Sequence, residues 1–91
     1  MLVWHSDSAE SDLDAIADWF GDVNPAAGLN LLDRIADTEK RLSAWPEAGK
    51  AGRVTDTREM VVVGTPFILV YRLTDKQIEV VRVLHGRQQW P

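Results

Sequence analysis

TREMVVVGTPFILVYRLTDKQIEVVRVLHGRQQWP, residues 57–91, holds three apolar runs rich in β-branched and aromatic side chains. Runs of this length, bounded by Gly, Pro and Asp, predict strands rather than helices. We place them at Thr57–Val63, Phe67–Leu73 and Ile78–His85. Gly64-Thr65-Pro66 joins the first pair and Thr74-Asp75-Lys76-Gln77 the second, both hairpin lengths. A sheet with one wet face alternates apolar and polar residues. Here Phe67, Leu69, Tyr71 and Leu73 form one parity and Ile68 and Val70 the other, with only Arg72 polar. The last strand places Ile78, Val80 and Leu84 on one parity and Val81 and Val83 on the other. Both faces are apolar, and both need a cover.

Working back toward the N-terminus, SDSAESDLDAIADWFGDVNP (residues 6–25) puts Ala9, Leu13, Ile16, Ala17 and Phe20 at helical spacing. Glu10, Asp12, Asp14 and Asp18 fall between them, as a solvated face would. Ser6 or Asp7 caps this helix, and Gly21 to Pro25 stops it. Asn24 then caps a second helix over residues 25–44, with Pro25 at its first position, where a missing N–H costs nothing. Ala27, Leu31, Ile35, Thr38 and Leu42 form its buried stripe, and Trp45-Pro46 ends it. The connection is short, so the two helices form an antiparallel hairpin. LVW at residues 2–4 reads as a first strand, and EAGKAGRVT at 47–55 as a loop. The pattern β-α-α-β-β-β predicts an α+β fold over residues 1–91. A helical hairpin covers one face of a mostly antiparallel four-stranded sheet. The second face is left to the C-terminal tail, another subunit or a partner chain.

A chain of 91 residues makes one domain with a thin core. With no cysteine, neither a disulfide nor a thiolate metal site can reinforce it. No apolar stretch reaches the roughly 18 residues of a membrane span, and MLVWHSDSAE is no signal peptide, so a cytoplasmic protein is the expectation. The net charge of −4 argues against a general nucleic-acid binder. The charge is uneven, however. Residues 1–52 hold ten acidic against four basic side chains, while residues 53–91 hold four against six. The back half can therefore face an acidic target.

Chemistry-bearing groups are few. No HExxH, CxxC, Walker loop or GxGxxG occurs, so neither a metal nor another cofactor is expected. His85 has the side chain for general acid–base work, though a strand-end histidine held by backbone or solvent is the plainer reading. His5 has no such context. An arginine within a strand must reach solvent, a carboxylate or an anion. Arg58, Arg72 and Arg82 therefore either pair with neighbours such as Glu59 and Glu79, or form a row of guanidiniums on the uncovered face. Trp90 beside Arg87 is a stacking platform, an interface anchor or a lid folded back over the sheet.

SDLDAIADWF, NPAAGLNLLDRI, GRVTDTREMVV, TPFILVYRL and VVRVLHGRQQWP, in this order and spacing, resemble the RelE/ParE superfamily of bacterial toxins. The likeness spans nearly the whole chain and is most specific in TREMVV, PFILVYR and RVLHGRQQW. It implies the toxin of a type II toxin–antitoxin pair, held in a hetero-oligomeric complex by a cognate antitoxin laid across the open sheet face. Phe67, Leu69, Tyr71, Ile78, Val80 and Leu84 are the expected antitoxin contacts.

The superfamily divides by mechanism. RelE-like members resemble ribosome-dependent mRNA endonucleases, which need clustered Lys and Arg around a charged transition state. ParE-like members poison DNA gyrase through protein contact. Where the nuclease pattern has a basic residue before the middle strand, this chain has Thr65, Pro66 and Phe67. Lys50 and Arg53 make no dense lysine cluster, and the ending carries Trp90 in place of a tyrosine. The ParE-like branch is therefore expected, with Arg72, Arg82, His85, Arg87 and Trp90 as the target contact and no catalytic residue. In the alternative, acting on ribosome and mRNA, Arg58, Arg82, His85 and Arg87 are the machinery.

Overall fold

The computed structural model describes residues 1–91. Seven elements follow one another: β1 (Leu2–His5), α1 (Asp7–Val23), α2 (Pro25–Ala44), β2 (Lys50–Ala51), β3 (Arg58–Val61), β4 (Phe67–Leu73) and β5 (Gln77–His85). The strands form one sheet in the order β1-β5-β4-β3-β2. β1 runs parallel to β5, and every other neighbouring pair is antiparallel. The expected α+β architecture is present, with five strands in place of four. The extra strand, β2, lies in the stretch expected to be loop and pairs Lys50 with Glu59 and Ala51 with Arg58. Two residues are too few to show alternation, so only the neighbouring strand reveals it.

The helices start where their caps dictate. Ser6 accepts the Ala9 N–H at 3.1 Å through Oγ, and donates its own O–H to the Val81 carbonyl at 2.8 Å. Asn24 Oδ1 accepts the Ala27 N–H at 3.2 Å, with Pro25 opening α2. The first helix does not stop at Gly21 but runs to Val23, leaving Asn24 as the whole connection. Gly21 costs a helix little next to what Pro25 imposes, since a proline bars its predecessor from helical geometry. Asn24 takes that break at φ −158 and ψ 85. The hairpin closes tightly: a Cβ on Gly28 would lie 2.6 Å from the Phe20 Cβ.

The helices cover one sheet face. Ile16, Leu31, Ile35 and Leu42 pack there on Leu69, Tyr71, Ile78, Val80 and Val83. A β-bulge decides which β5 residues join them. Val70 pairs with Arg82 while Tyr71 pairs with Val80, leaving Val81 as the extra residue. An extra residue reverses side-chain parity along the rest of the strand. Val83 therefore shares the helix face with Ile78 and Val80, and Leu84 turns to the other face. The expected grouping of Leu84 with Ile78 and Val80 is corrected by that single residue.

The second face also has a roof. Val70 and Leu84 are 0% and 1% exposed without belonging to the helix-side core. The C-terminal tail returns over them. Gly86 N–H donates to the Pro66 carbonyl at 2.7 Å, and Gln88 N–H to the His85 carbonyl at 2.9 Å, turning the chain back. Arg53 Nη1 then donates to the Gln88 carbonyl at 3.4 Å, and Trp90 lies with its ring centroid 5.4 Å from the Arg82 guanidinium carbon. The tail covers the centre of the face only: Leu2, Trp4 and Val61 remain exposed at its margins.

Candidate functional site on the tail and open sheet face

Strand pairing lines Glu59, Val70 and Arg82 across the open face. Both charged members are held from outside the row. Glu59 is buried and accepts the Arg53 backbone N–H at 2.9 Å, with the Arg53 guanidinium 3.3 Å away. Arg82 reaches around the sheet edge to Asp12 of α1, with Nε to Oδ2 at 2.8 Å and Nη2 to Oδ1 at 3.0 Å. These hydrogen bonds raise the guanidinium above its ordinary value, against an opposing effect of burial. Trp90 closes over this pair, its indole Nε1 buried and without an acceptor.

Asp12 does a second job at that edge. β1 ends opposite Val80, so the outer edge of β5 beyond it has no strand partner. Side chains take the strand's place. Ser6 Oγ donates to the Val81 carbonyl, Asp12 Oδ2 accepts the Val83 N–H at 2.8 Å, and Gln88 Oε1 accepts the His85 N–H at 2.7 Å. Capping of this kind blunts an edge that would otherwise pair with another chain.

The other sequence candidates scatter. Arg58 lies opposite Tyr71, whose parity is that of the helix face. Its Nη1 donates to the Glu47 and Gly49 carbonyls at 3.1 and 3.0 Å. The Tyr71 hydroxyl joins it, donating to the Pro46 carbonyl at 2.9 Å and accepting the Gly49 N–H at 2.8 Å. Burial raises the Tyr71 phenol above 10, opposed by the Gly49 N–H and the Arg58 charge. Together they pin residues 46–49. Arg72 pairs with Glu79 at 2.9 Å, as one of the two sequence readings has it. His85 accepts the Arg87 N–H at Nδ1, 3.1 Å, and meets Phe67 edge-on at 5.6 Å between centroids. Arg87 is exposed and has no carboxylate partner.

Of the residues expected to meet an antitoxin, Leu69, Tyr71, Ile78 and Val80 are fully buried beneath the helices. Leu84 is buried on the tail side, and Phe67 alone keeps partial exposure. Their apolar pattern is that of a two-sided core, not a vacant surface.

Two carboxylates of α1 depart from the expected solvated face. Asp12 serves Arg82, and Glu10 Oε1 lies 3.1 Å from His5 Nδ1. The other His5 nitrogen, Nε2, is 2.7 Å from Glu39 Oε1. The ring with no evident context thus ties β1 to both helices. Burial lowers its pKa, but Glu39 and then Glu10 outweigh that, and the net shift is upward from 6.5. No sequence signal marks this cluster, because its members are 5 and 34 residues apart.

The profile of the ParE toxin of the type II toxin–antitoxin system, parDE, matches residues 3–90. The chain belongs to the ParE toxin family. This ParE-family toxin is 34% identical over 79 residues to toxin Y4kP of Sinorhizobium fredii, covering 87% of this chain and 81% of that one. It is also 34% identical over 78 residues to Toxin RelE2 of Caulobacter vibrioides, 86% of each chain. A chain of the chromosomal ParDE toxin–antitoxin system from P. aeruginosa superposes with a TM-score of 0.82 at 27% identity, over 93% of this chain and 95% of the other. A YoeB/ParE toxin from Agrobacterium tumefaciens gives a TM-score of 0.66 at 15% identity, over 93% and 98%, a likeness of fold alone. The ParE-family toxin is the toxin half of a type II pair, and its partner is an antitoxin. None of its helices is long and apolar enough to cross a membrane.

Proposed function

We propose that this ParE-family toxin disables its target by protein contact, with DNA gyrase as that target, and does not cut RNA. The dispersal of its cations supports this reading. RNA cleavage needs several cations and a proton carrier around one phosphate. Arg58 and Arg82 stand on opposite sheet faces, one bound to loop carbonyls and the other to Asp12. Arg87 remains as the free cation of the tail, beside a Trp90 that is already packed. The likeness to the P. aeruginosa ParDE chain points the same way.

A ribosome-dependent endonuclease is the second reading. It draws on the contact of His85 with Arg87 at an exposed turn and on the likeness to a relative named RelE2. A gyrase supercoiling assay run beside an in vitro translation assay separates the two. The expected result is blocked supercoiling with intact mRNA, and His85→Ala as toxic as the parent. Cleaved mRNA, with His85→Ala slowed on the order of 10²–10⁴-fold, overturns the proposal.

A further inference from the structure

The outer edges of the sheet are not alike. β2 is two residues long and carries Lys50, and the uncovered part of β5 is capped by Ser6, Asp12 and Gln88. Short strands, charges and caps of this kind keep an edge from pairing with another chain. β1, with the sequence LVWH, has none of them.

The pairing of β1 with β5 shows which backbone groups are left. Ser6 N–H donates to the Val80 carbonyl at 3.0 Å, with His5 opposite Val80 and Val3 opposite Ile78. Alternation along the strand then turns Leu2, Trp4 and Ser6 toward β5, and Val3 and His5 outward. The outward N–H and C=O groups of Val3 and His5 meet no group of the chain, and the Ser43 hydroxyl reaches only the Met1 carbonyl. Trp4, between them, is 41% exposed and Leu2 64%, both on the open sheet face.

We propose that a second copy of this chain pairs with this edge, β1 against β1, antiparallel about a two-fold axis at Trp4. In that register Val3 faces His5 of the second copy, and two hydrogen-bonded pairs form four bonds that use every free group. Shifted by one pair either way, the edge needs Met1, whose carbonyl Ser43 already holds, or Asp7, the first residue of α1. Trp4 then faces its own copy as a non-hydrogen-bonded pair, the closer kind of cross-strand pair, where aromatic rings pack well. One patch serves both copies, as a closed two-fold contact requires. An unrelated strand can use the four free groups, but β1 itself also supplies an aromatic partner for Trp4 and no charge opposite it. Each copy carries a net charge of −4, yet no acidic residue lies in LVWH, and repulsion between more distant charges is screened beyond about 8 Å at physiological salt. The strip is small, so the dimer is weak and forms with rising concentration.

The test uses the full chain, which has no cysteine of its own. Sedimentation is expected to show a monomer–dimer equilibrium between about 10 µM and about 1 mM, the range of a small interface. Trp4→Lys sets two like charges face to face and should weaken dimerisation roughly tenfold or more, with the melting point of the monomer near the parent's. Under air oxidation Trp4→Cys should cross-link to itself much faster than Leu2→Cys. Across the two-fold axis the position-4 Cα atoms lie about 4.5 Å apart, within disulfide reach, and the position-2 atoms roughly 13 Å apart. A chain that stays monomeric throughout overturns the proposal, including where Trp4→Lys loses antitoxin or target and the edge therefore belongs to that partner. A dimer that a folded Trp4→Lys leaves intact overturns it too. If Trp4→Lys does not fold, the cysteine pair decides, and cross-linking from position 2 as fast as from position 4 overturns the proposal by itself.

Discussion

Asp12 Oδ2 accepts from Arg82 Nε and from the Val83 backbone N–H, each at 2.8 Å. One carboxylate thus replaces a missing strand at the β5 edge and neutralises a strand arginine. Both side chains are less than a third exposed, so solvent screening is limited.

Asp12→Ala is expected to cost about 2–3 kcal/mol, because it leaves a guanidinium and an edge N–H unpaired. In a domain of this size that lowers Tm by on the order of 10 °C. Asp12→Asn should lose roughly half as much, since its Oδ1 still accepts the Val83 N–H. Chemical denaturation of the three proteins measures both values, and equal losses for Ala and Asn would rule out the edge contact.

The His5 cluster predicts a pH dependence. Facing a carboxylate at each nitrogen, the imidazole makes both hydrogen bonds only when doubly protonated. Its folded pKa is raised above the unfolded value of 6.5. The stabilisation is therefore complete below about pH 6.5 and is lost as pH rises through the folded value. Urea unfolding at a series of pH values should show stability falling across that window in the parent and a flatter profile in His5→Gln.

Trp90 roofs the sheet but carries an orphan donor. Trp90→Ala should destabilise by about 1–2 kcal/mol as Val70 and Leu84 lose their cover. Trp90→Phe keeps a smaller aromatic ring and removes the buried N–H, whose desolvation costs about 1–3 kcal/mol, so it should cost clearly less than Ala. Denaturation curves decide this, and a loss from Phe as large as that from Ala would place the indole nitrogen in a bond.

Tyr71→Phe should cost about 1–2 kcal/mol, because the Gly49 N–H loses its acceptor beneath the surface. Hydrogen exchange at Gly49 should accelerate while the β4–β5 amides keep their protection. Unchanged exchange at Gly49 would mean that Arg58 alone holds the segment.

The sequence by itself determined the elements and the layer they build. Apolar β-branched runs bounded by turn residues over 57–85 placed three strands, 3.6-residue spacing placed two helices, and Ser6, Asn24 and Pro25 marked where the helices begin. These signals are local, because a residue's backbone preference and its cap partner lie within a turn of each other. The family, too, was legible in order and spacing. Tertiary structure decided everything that depends on residues far apart in the chain. The bulge at Val81 moved Val83 to the helix side of the core and Leu84 to the tail side, which no single-strand pattern foretells. The pairing that makes Lys50–Ala51 a strand comes from β3. Asp12 and Arg82, 70 residues apart, and His5 and Glu39, 34 apart, meet only once helices and sheet have packed. The tail's choice to cover the open face, not to stand free, turns on Val70 and Leu84 needing a roof. A two-sided apolar sheet demands that cover, but its sequence does not say which segment supplies it.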